Sequence, residues 1–377
     1  MMRLRELCRI KKFSIVAFAA FVLITFAAVS VYRSLKRNTC YPVDNILFLK
    51  THKTGGSSVA NMLFRFAKSR HLTVALPKKQ IYSFFWPWSF QISFVDTYDH
   101  ERPNVLCSHA RYNQTTMQAL MPSGTKFITI LRHPISRFES AFLFEDFPSF
   151  LGIPGSLNPL QHFMEHINMF NPEISRMYTL RNGMSFDLGL EPGDFENADV
   201  ISDFILSVEE NFDMVLLLEY FDESLILLKR HLCWSFEDVL YIKHNSRLQS
   251  LKKHHIPKKF RTTFLEWNQA DVLLYKHFNQ TFWKNVKYQG KNFWSEVRNL
   301  KKRSDKIATE CLQPGEHRYD NRKRTVTKLI VNPKVSPNMK HLCWDLVEDE
   351  DSYLKYFRRV QLNKNAIVAV RHDNKKN

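Results

Sequence analysis

Two apolar, strand-length segments of this chain each run straight into a marked turn and then into a helix. Asn45-Ile-Leu-Phe-Leu-Lys50 reads as a buried strand, Thr51-His-Lys-Thr-Gly-Gly-Ser-Ser58 as a glycine-containing turn, and Ser57 to Phe66 as an amphipathic helix. Lys126 to Leu131 reads as another strand, and Pro134, suited to a first helical turn, opens a helix to Phe144. Strands are also predicted at Asn104 to Ser108 and Met214 to Leu218. Helices are predicted at Leu160 to Met169, Asp222 to Leu232 and across residues 257–300, where Trp267, Leu274, Phe278 and Trp283 read as packing residues. Strands alternating with helices imply an α/β fold with a parallel sheet.

Both turns have the chemistry of an anion site. Backbone N–H groups at a helix start, aided by the helix dipole, can cradle a phosphate, and Lys53 adds a mobile positive charge. The lysine precedes the glycines, whereas an ordinary P-loop places it after them, so the segment is not a Walker A loop. In Leu131-Arg-His-Pro-Ile-Ser-Arg-Phe-Glu-Ser-Ala-Phe142, Arg132 at the strand end and Ser140 two turns into the helix can grip a phosphate together. Arg137 reads as a surface or salt-bridge residue. With no magnesium-holding hydroxyl after a P-loop lysine and no Walker B acid, a nucleotide kinase is a poor fit.

The 377 residues, 44% hydrophobic, suffice for one sizeable core, and the net charge of +17 favours polyanionic company without choosing among nucleic acid, membrane surface and phosphate-rich ligand. Residues Phe13 to Tyr32 carry no charge and are long enough to span a membrane. Arg3, Arg5, Arg9, Lys11 and Lys12 precede them against Glu6 alone, which predicts a cytosolic N-terminus and a lumenal remainder. A cleaved signal peptide is the competing reading. The expected organisation is a tail (1–12), an anchor (13–32), a stem (33–44), a catalytic domain (45–312) and a basic extension (313–377). Asn113 and Asn279 then become glycosylation acceptors, and Cys40, Cys107, Cys233, Cys311 and Cys343 meet an oxidising compartment with at least one left unpaired. No Cys-x-x-Cys pair suggests a zinc site.

Taken together, Lys-x-Gly-x-Ser after the first strand and Arg-x-Pro-x-x-Arg-x-x-Ser after the other resemble the paired elements with which sulfotransferases bind 3′-phosphoadenosine 5′-phosphosulfate (PAPS). The segments ILFLKTHKTGGSSVANMLFRF, LRNGMSFDLG and VLLLEYFDESLILLKRHLCW resemble the galactose-3-O-sulfotransferase family, which includes the galactosylceramide sulfotransferase, in order over roughly residues 45 to 312. Gly55-Gly56 stands where that family typically has Ala-Ser, and His133 where it has Asp, changes that echo heparan-type sulfotransferases. The resemblance implies a sulfotransferase fold in the Golgi membrane, with the catalytic domain lumenal. It places the 5′-phosphosulfate on Lys53, Thr54, Gly55, Gly56, Ser57 and Ser58, with Lys50 alongside, and the 3′-phosphate on Arg132 and Ser140. PAPS is then a co-substrate, no metal is required, nucleic acid is not a partner, and a homodimer is allowed.

Moving a sulfuryl group to a sugar hydroxyl needs charge neutralisation at the leaving oxygen, a role for Lys53, and a general base near neutral pKa. His109, at the carboxyl edge of a predicted strand where the resembling family also has a histidine, is the first candidate, and His52 the second. Arg181, Asn182 and Glu219 are candidates for the acceptor, expected to be the 3-hydroxyl of galactose on a glycolipid or glycoprotein glycan. Phe84, Phe85, Trp86 and Trp88 can stack on sugar, touch lipid or fill core. A heparan-type acceptor and a non-catalytic polyanion-binding lectin are the alternatives.

Overall fold

The computed structural model describes residues 40–78, 82–96, 102–154, 158–170, 175–248, 255–317 and 326–373, together with Thr25. Thr25 apart, the uncharged run Phe13 to Tyr32 lies outside them, and no helix among the described residues is long and apolar enough to cross a membrane.

The strands, in chain order, are β1 (Ile46–Leu49), β2 (Leu76–Pro77), β3 (Val95–Asp96), β4 (Val105–Leu106), β5 (Lys126–Leu131) and β6 (Met214–Leu217). Four of them form one parallel sheet in the order β4-β1-β5-β6, with Leu47 opposite both Leu106 and Phe127, and Leu131 opposite Leu217. All four residues of β1 are wholly buried. That is why its sequence is a continuous apolar run rather than an alternation: a parallel strand is covered on both faces. Strands β2 and β3 pair antiparallel as a small separate ribbon.

The principal helices are α1 (Gly56–Ser69), α2 (Gln114–Leu120), α3 (Pro134–Phe144), α4 (Gly183–Asp187), α5 (Ala198–Asn211), α6 (Phe221–His231), α7 (Gln269–Lys287), α8 (Phe293–Cys311), α9 (Pro337–Val347) and α10 (Glu350–Asp373). Strand β6 packs on α6 and α7, and α6 packs on α8. The predicted helix Leu160 to Met169 is broken into Pro159–Glu165 and a tight turn at Ile167–Met169. A second apolar cluster gathers Phe138, Phe142, Phe163 and Phe264, with Trp267 against it, beneath α3.

Residues 337–361 also belong to this body. Helices α9 and α10 pack on α1, with Leu346, Tyr353, Leu354 and Phe357 buried, and a Cys311–Cys343 disulfide ties α9 to α8. Cys40 and Cys233 are also disulfide-bonded, which leaves Cys107 as the free, buried thiol among these five. Because the Cys311–Cys343 bridge closes a sequence separation of 32, replacing both cysteines by serine is expected to cost about 2–4 kcal/mol in denaturant unfolding.

Candidate active site

The first loop is held from beneath. The Thr51 hydroxyl donates to the Ile130 carbonyl at the end of β5, and the Thr54 hydroxyl donates to the Thr51 carbonyl at 3.0 Å. Lys53 and Gly55 both adopt left-handed backbone, with φ of 62° and 84°, which turns the chain sharply into α1. The glycines also allow close approach: a Cβ at Gly55 would stand 2.6 Å from Leu218, and one at Gly56 would stand 2.8 Å from the Lys50 side chain, so either would make those side chains shift. No side chain caps α1; the Ser58 N–H donates to the Gly55 carbonyl at 3.1 Å, and the Gly56 and Ser57 N–H groups ahead of it are placed to meet an anion. The serine hydroxyls accept from the 243–247 segment, Ser57 from the Asn245 amide at 2.9 Å and Ser58 from the His244 N–H at 3.0 Å.

The second loop meets the first directly. Arg132, at the end of β5, donates from Nη1 to the Lys53 carbonyl at 3.1 Å. Both open on one cleft of about 1420 Å³, lined by Lys50, His52, Lys53, Gly55, Gly56, Ser57, Ser58, His109, Arg132 and Ser140. Its electrostatics are those of a desolvated anion hole. Burial lowers the Lys53 ammonium to about 7 despite Glu145, with Arg132, Lys50 and Arg247 adding to the depression. Burial likewise brings Arg132 down to about 10, opposed by Glu219. Lys53 Nζ sits 3.2 Å from the centre of the Phe144 ring, an interaction that holds the charge without neutralising it. Lys53, Arg132 and Arg247 gathered on one wall of the cleft fit a multiply charged anion such as a phosphosulfate.

Beside the cations lie two histidines. His109 follows β4, donates from Nδ1 to the Lys50 carbonyl at 3.0 Å, and stacks on His52 with ring centres 4.1 Å apart and planes 20° apart. Burial and the neighbouring His52 and Lys50 hold the His109 pKa well below the usual range, so its imidazole is neutral at physiological pH. The Nδ1 of His52 bonds both carboxylate oxygens of Asp187. Each ring therefore has Nδ1 engaged and Nε2 uncommitted by any described bond.

A basic double loop with adjacent histidines narrows the chemistry, and comparison with known proteins decides the family. The model of the galactose-3-O-sulfotransferase family matches residues 9–348. The chain belongs to the galactose-3-O-sulfotransferase family. Among its relatives, galactose-3-O-sulfotransferase 3 of Bos taurus is 36% identical over 313 residues, covering 76% of this chain and 70% of that protein. The galactosylceramide sulfotransferase of Homo sapiens is 36% identical over 288 residues, covering 73% of this chain and 66% of that protein. Galactose-3-O-sulfotransferase 2 of Mus musculus is 34% identical over 284 residues, covering 73% and 71%. Membership in a sulfotransferase family implies PAPS as the sulfuryl donor. Among the described residues no group of three or more His, Cys, Asp or Glu side chains is placed to hold a metal ion.

Within this galactose-3-O-sulfotransferase frame, several expected site residues sit elsewhere than the sequence suggests. Thr54 is fully buried and bonds its own loop rather than lining the cleft. Lys50 lines the cleft, but its ammonium is committed to Glu350 of α10. Arg181 and Asn182 do not line the cleft. Arg181 pairs with Glu196, while Asn182, wholly buried in left-handed backbone, exchanges bonds with Asn268 and Asp271 at the start of α7. Glu219 does reach the cleft, yet its carboxylate accepts from the His133 N–H and the Tyr275 hydroxyl, beside Arg132. Arg137 is a salt-bridge residue but not a surface one, being fully buried against Asp271. Asn113 caps α2 and Asn279 lies within α7 with its side-chain oxygen buried. Of the aromatics, Phe84 is core, Trp86 lines the cleft and Trp88 is exposed.

Other cleft residues gave little sequence signal. Arg247, His244 and Asn245 come from a segment without periodic pattern, and Trp344, Glu348, Asp349, Glu350 and Asp351 come from the far end of the chain. That acidic wall is fixed by Asn61, which donates to the Asp345 and Glu348 carbonyls, and by His244, whose Nε2 donates to the Leu346 carbonyl.

Proposed function

We propose that this protein transfers the sulfuryl group of PAPS to the 3-hydroxyl of galactose on a glycolipid or glycoprotein glycan. The observation that carries the reading is the direct junction of the two anion loops, Arg132 on the Lys53 carbonyl, within hydrogen-bonded reach of a stacked histidine pair. In this mechanism Arg132, Ser140 and Arg247 hold the 3′-phosphate. Lys53 and the first N–H groups of α1 hold the phosphosulfate, and Lys53 neutralises the charge that gathers on the bridging oxygen as the sulfur–oxygen bond breaks. One of the two histidines takes the proton of the attacking hydroxyl.

The acidic wall supports a neutral acceptor over a heparan-type one, because carboxylates facing the cleft would repel a polyanionic chain. The related proteins named for galactose and galactosylceramide agree with that choice. Golgi residence as a type II membrane protein is part of the proposal, on the strength of the uncharged run Phe13 to Tyr32 and its basic flank.

The donor half is tested by thermal unfolding with 3′-phosphoadenosine 5′-phosphate (PAP). At a hundred times its Kd the nucleotide is expected to add about 2.7 kcal/mol of stability, persisting at high salt. Equal stabilisation by heparin, lost as salt rises, is what a charge-driven lectin would give instead.

A further inference from the structure

The loop that carries Lys53 also carries His52, and its histidine is the better anchored of the pair. Asp187, the last residue of α4, is only 1% exposed and places its carboxylate against three donors. The His52 backbone N–H donates to Oδ2 at 2.7 Å, the Trp86 indole donates to Oδ1 at 2.8 Å, and His52 Nδ1 lies 2.9 and 3.0 Å from the two oxygens. Three bonds leave this carboxylate little freedom. The backbone of Asp187 is fixed in turn, since its carbonyl accepts from the Tyr112 N–H at 2.8 Å, and Gly189 just beyond turns away in left-handed backbone.

A carboxylate can only accept, so it selects the His52 tautomer that carries its proton on Nδ1 and leaves the Nε2 lone pair exposed to the cleft. It also stabilises the imidazolium once a proton arrives. His109 lacks such a partner. Its Nδ1 meets a carbonyl, whose partial charge stabilises an imidazolium far less, and the groups around it, His52, Lys50 and Lys53, all oppose a positive charge. Asp187 is thus the carboxylate bonded to His52, while Lys50, itself paired with Glu350, and Lys53 are the cations beside His109.

We infer that Asp187 is a positioning residue that makes His52, rather than His109, the proton acceptor of the transfer. The inference rests on the proposed reaction. In it the acceptor oxygen forms a bond to sulfur, the bond between sulfur and the bridging phosphate oxygen breaks, the hydroxyl proton goes to His52 Nε2, and PAP leaves with the electron pair. His109 then acts as a stacking floor for the His52 ring, which also meets Trp86 at 4.7 Å.

The test is Asp187→Asn, whose amide nitrogen would face His52 Nδ1 and impose the opposite tautomer. Expected is a kcat lower by about 10²- to 10⁴-fold, the range seen when a catalytic histidine loses its orienting carboxylate. Donor KM and PAP affinity should stay within about twofold. His52→Ala should lose a similar amount, and the double variant Asp187→Asn/His52→Ala should lose no more than either single. Nitrogen NMR of labelled histidine gives a readout that needs no turnover, with His52 protonated at Nδ1 in the native protein and at Nε2 in Asp187→Asn. Additive losses in the double variant or an unchanged His52 tautomer would each overturn the inference. A native protein that shows the Nδ1 tautomer but moves no sulfate would instead overturn the reaction on which it rests.

Discussion

Replacing Lys53 by methionine is expected to lower kcat/KM for the donor by about 10²- to 10³-fold, the usual consequence of removing one preorganised charge from a developing anion. Methionine keeps most of the apolar stem and removes the ammonium that sits over Phe144, so the loss reports mainly the charge. The same residue predicts a pH dependence. Burial brings Lys53 to about 7, so in the ligand-free protein its ammonium is about half present at neutral pH and falls away above it. A bound phosphosulfate raises that pKa again. Donor or PAP binding should therefore take up close to one proton at pH 8, and affinity should weaken as pH rises from 7. In Lys53→Met both effects should vanish. The sign for folding runs the other way: between pH 7 and 10.5 the unfolded chain holds the Lys53 proton more tightly than the folded one, so this group makes the ligand-free protein more stable as pH rises. Calorimetry in buffers of different ionisation enthalpy measures the uptake, and a flat profile would show Lys53 to be fully charged before the donor arrives.

The second large effect concerns stability. Arg137 and Asp271 are both fully buried, 3.5 Å apart, and each has further bonds. Arg137 donates to the Thr179 and Leu180 carbonyls, and Asp271 accepts from the Ser185 N–H and hydroxyl at 2.8 Å and the Met184 N–H at 3.2 Å. The guanidinium lies so close to α4 that a Cβ at position 183 would stand 2.5 Å from it, which is why Gly183 is there. Removing one partner strands a charge without water. Asp271→Ala or Arg137→Met is expected to cost about 3–5 kcal/mol, a large share of a domain's total. The joint replacement Arg137→Met/Asp271→Leu should cost less than either single change. A double variant that is worse than both would mean that the bonds of Arg137 to the Thr179 and Leu180 carbonyls, rather than its charge pairing, hold α3 to the turn ahead of α4.

The sheet was legible because its strands are mostly apolar: β1 is a wholly buried apolar run, β5 is buried beyond Lys126, and β6 is apolar throughout and buried at Leu216 and Leu217. The two anion loops were legible because glycine and proline mark where strands turn into helices. The acceptor side was not. Arg181 and Asn182 stand in a segment whose polar residues look exposed in one dimension, whereas the buried Arg137 and Asp271 draw that segment inward, and its functional side chain, Asp187, comes five residues later. Glu350 reaches Lys50 across 300 positions of sequence, a distance over which no local pattern carries information. Helices α9 and α10 were hidden because the few apolar residues that dock them, Leu346, Tyr353, Leu354 and Phe357, are spaced among charges of both signs.

The central claim is that the cleft moves sulfate from PAPS to galactose, and the most direct test offers radiolabelled PAPS with galactosylceramide, a lactose-type disaccharide and desulfated heparin in separate reactions. The account predicts label on the 3-hydroxyl of a galactose acceptor, little on heparin, and loss of that label in Lys53→Met. Label on heparin alone, or label on galactose that survives the loss of Lys53, would contradict it.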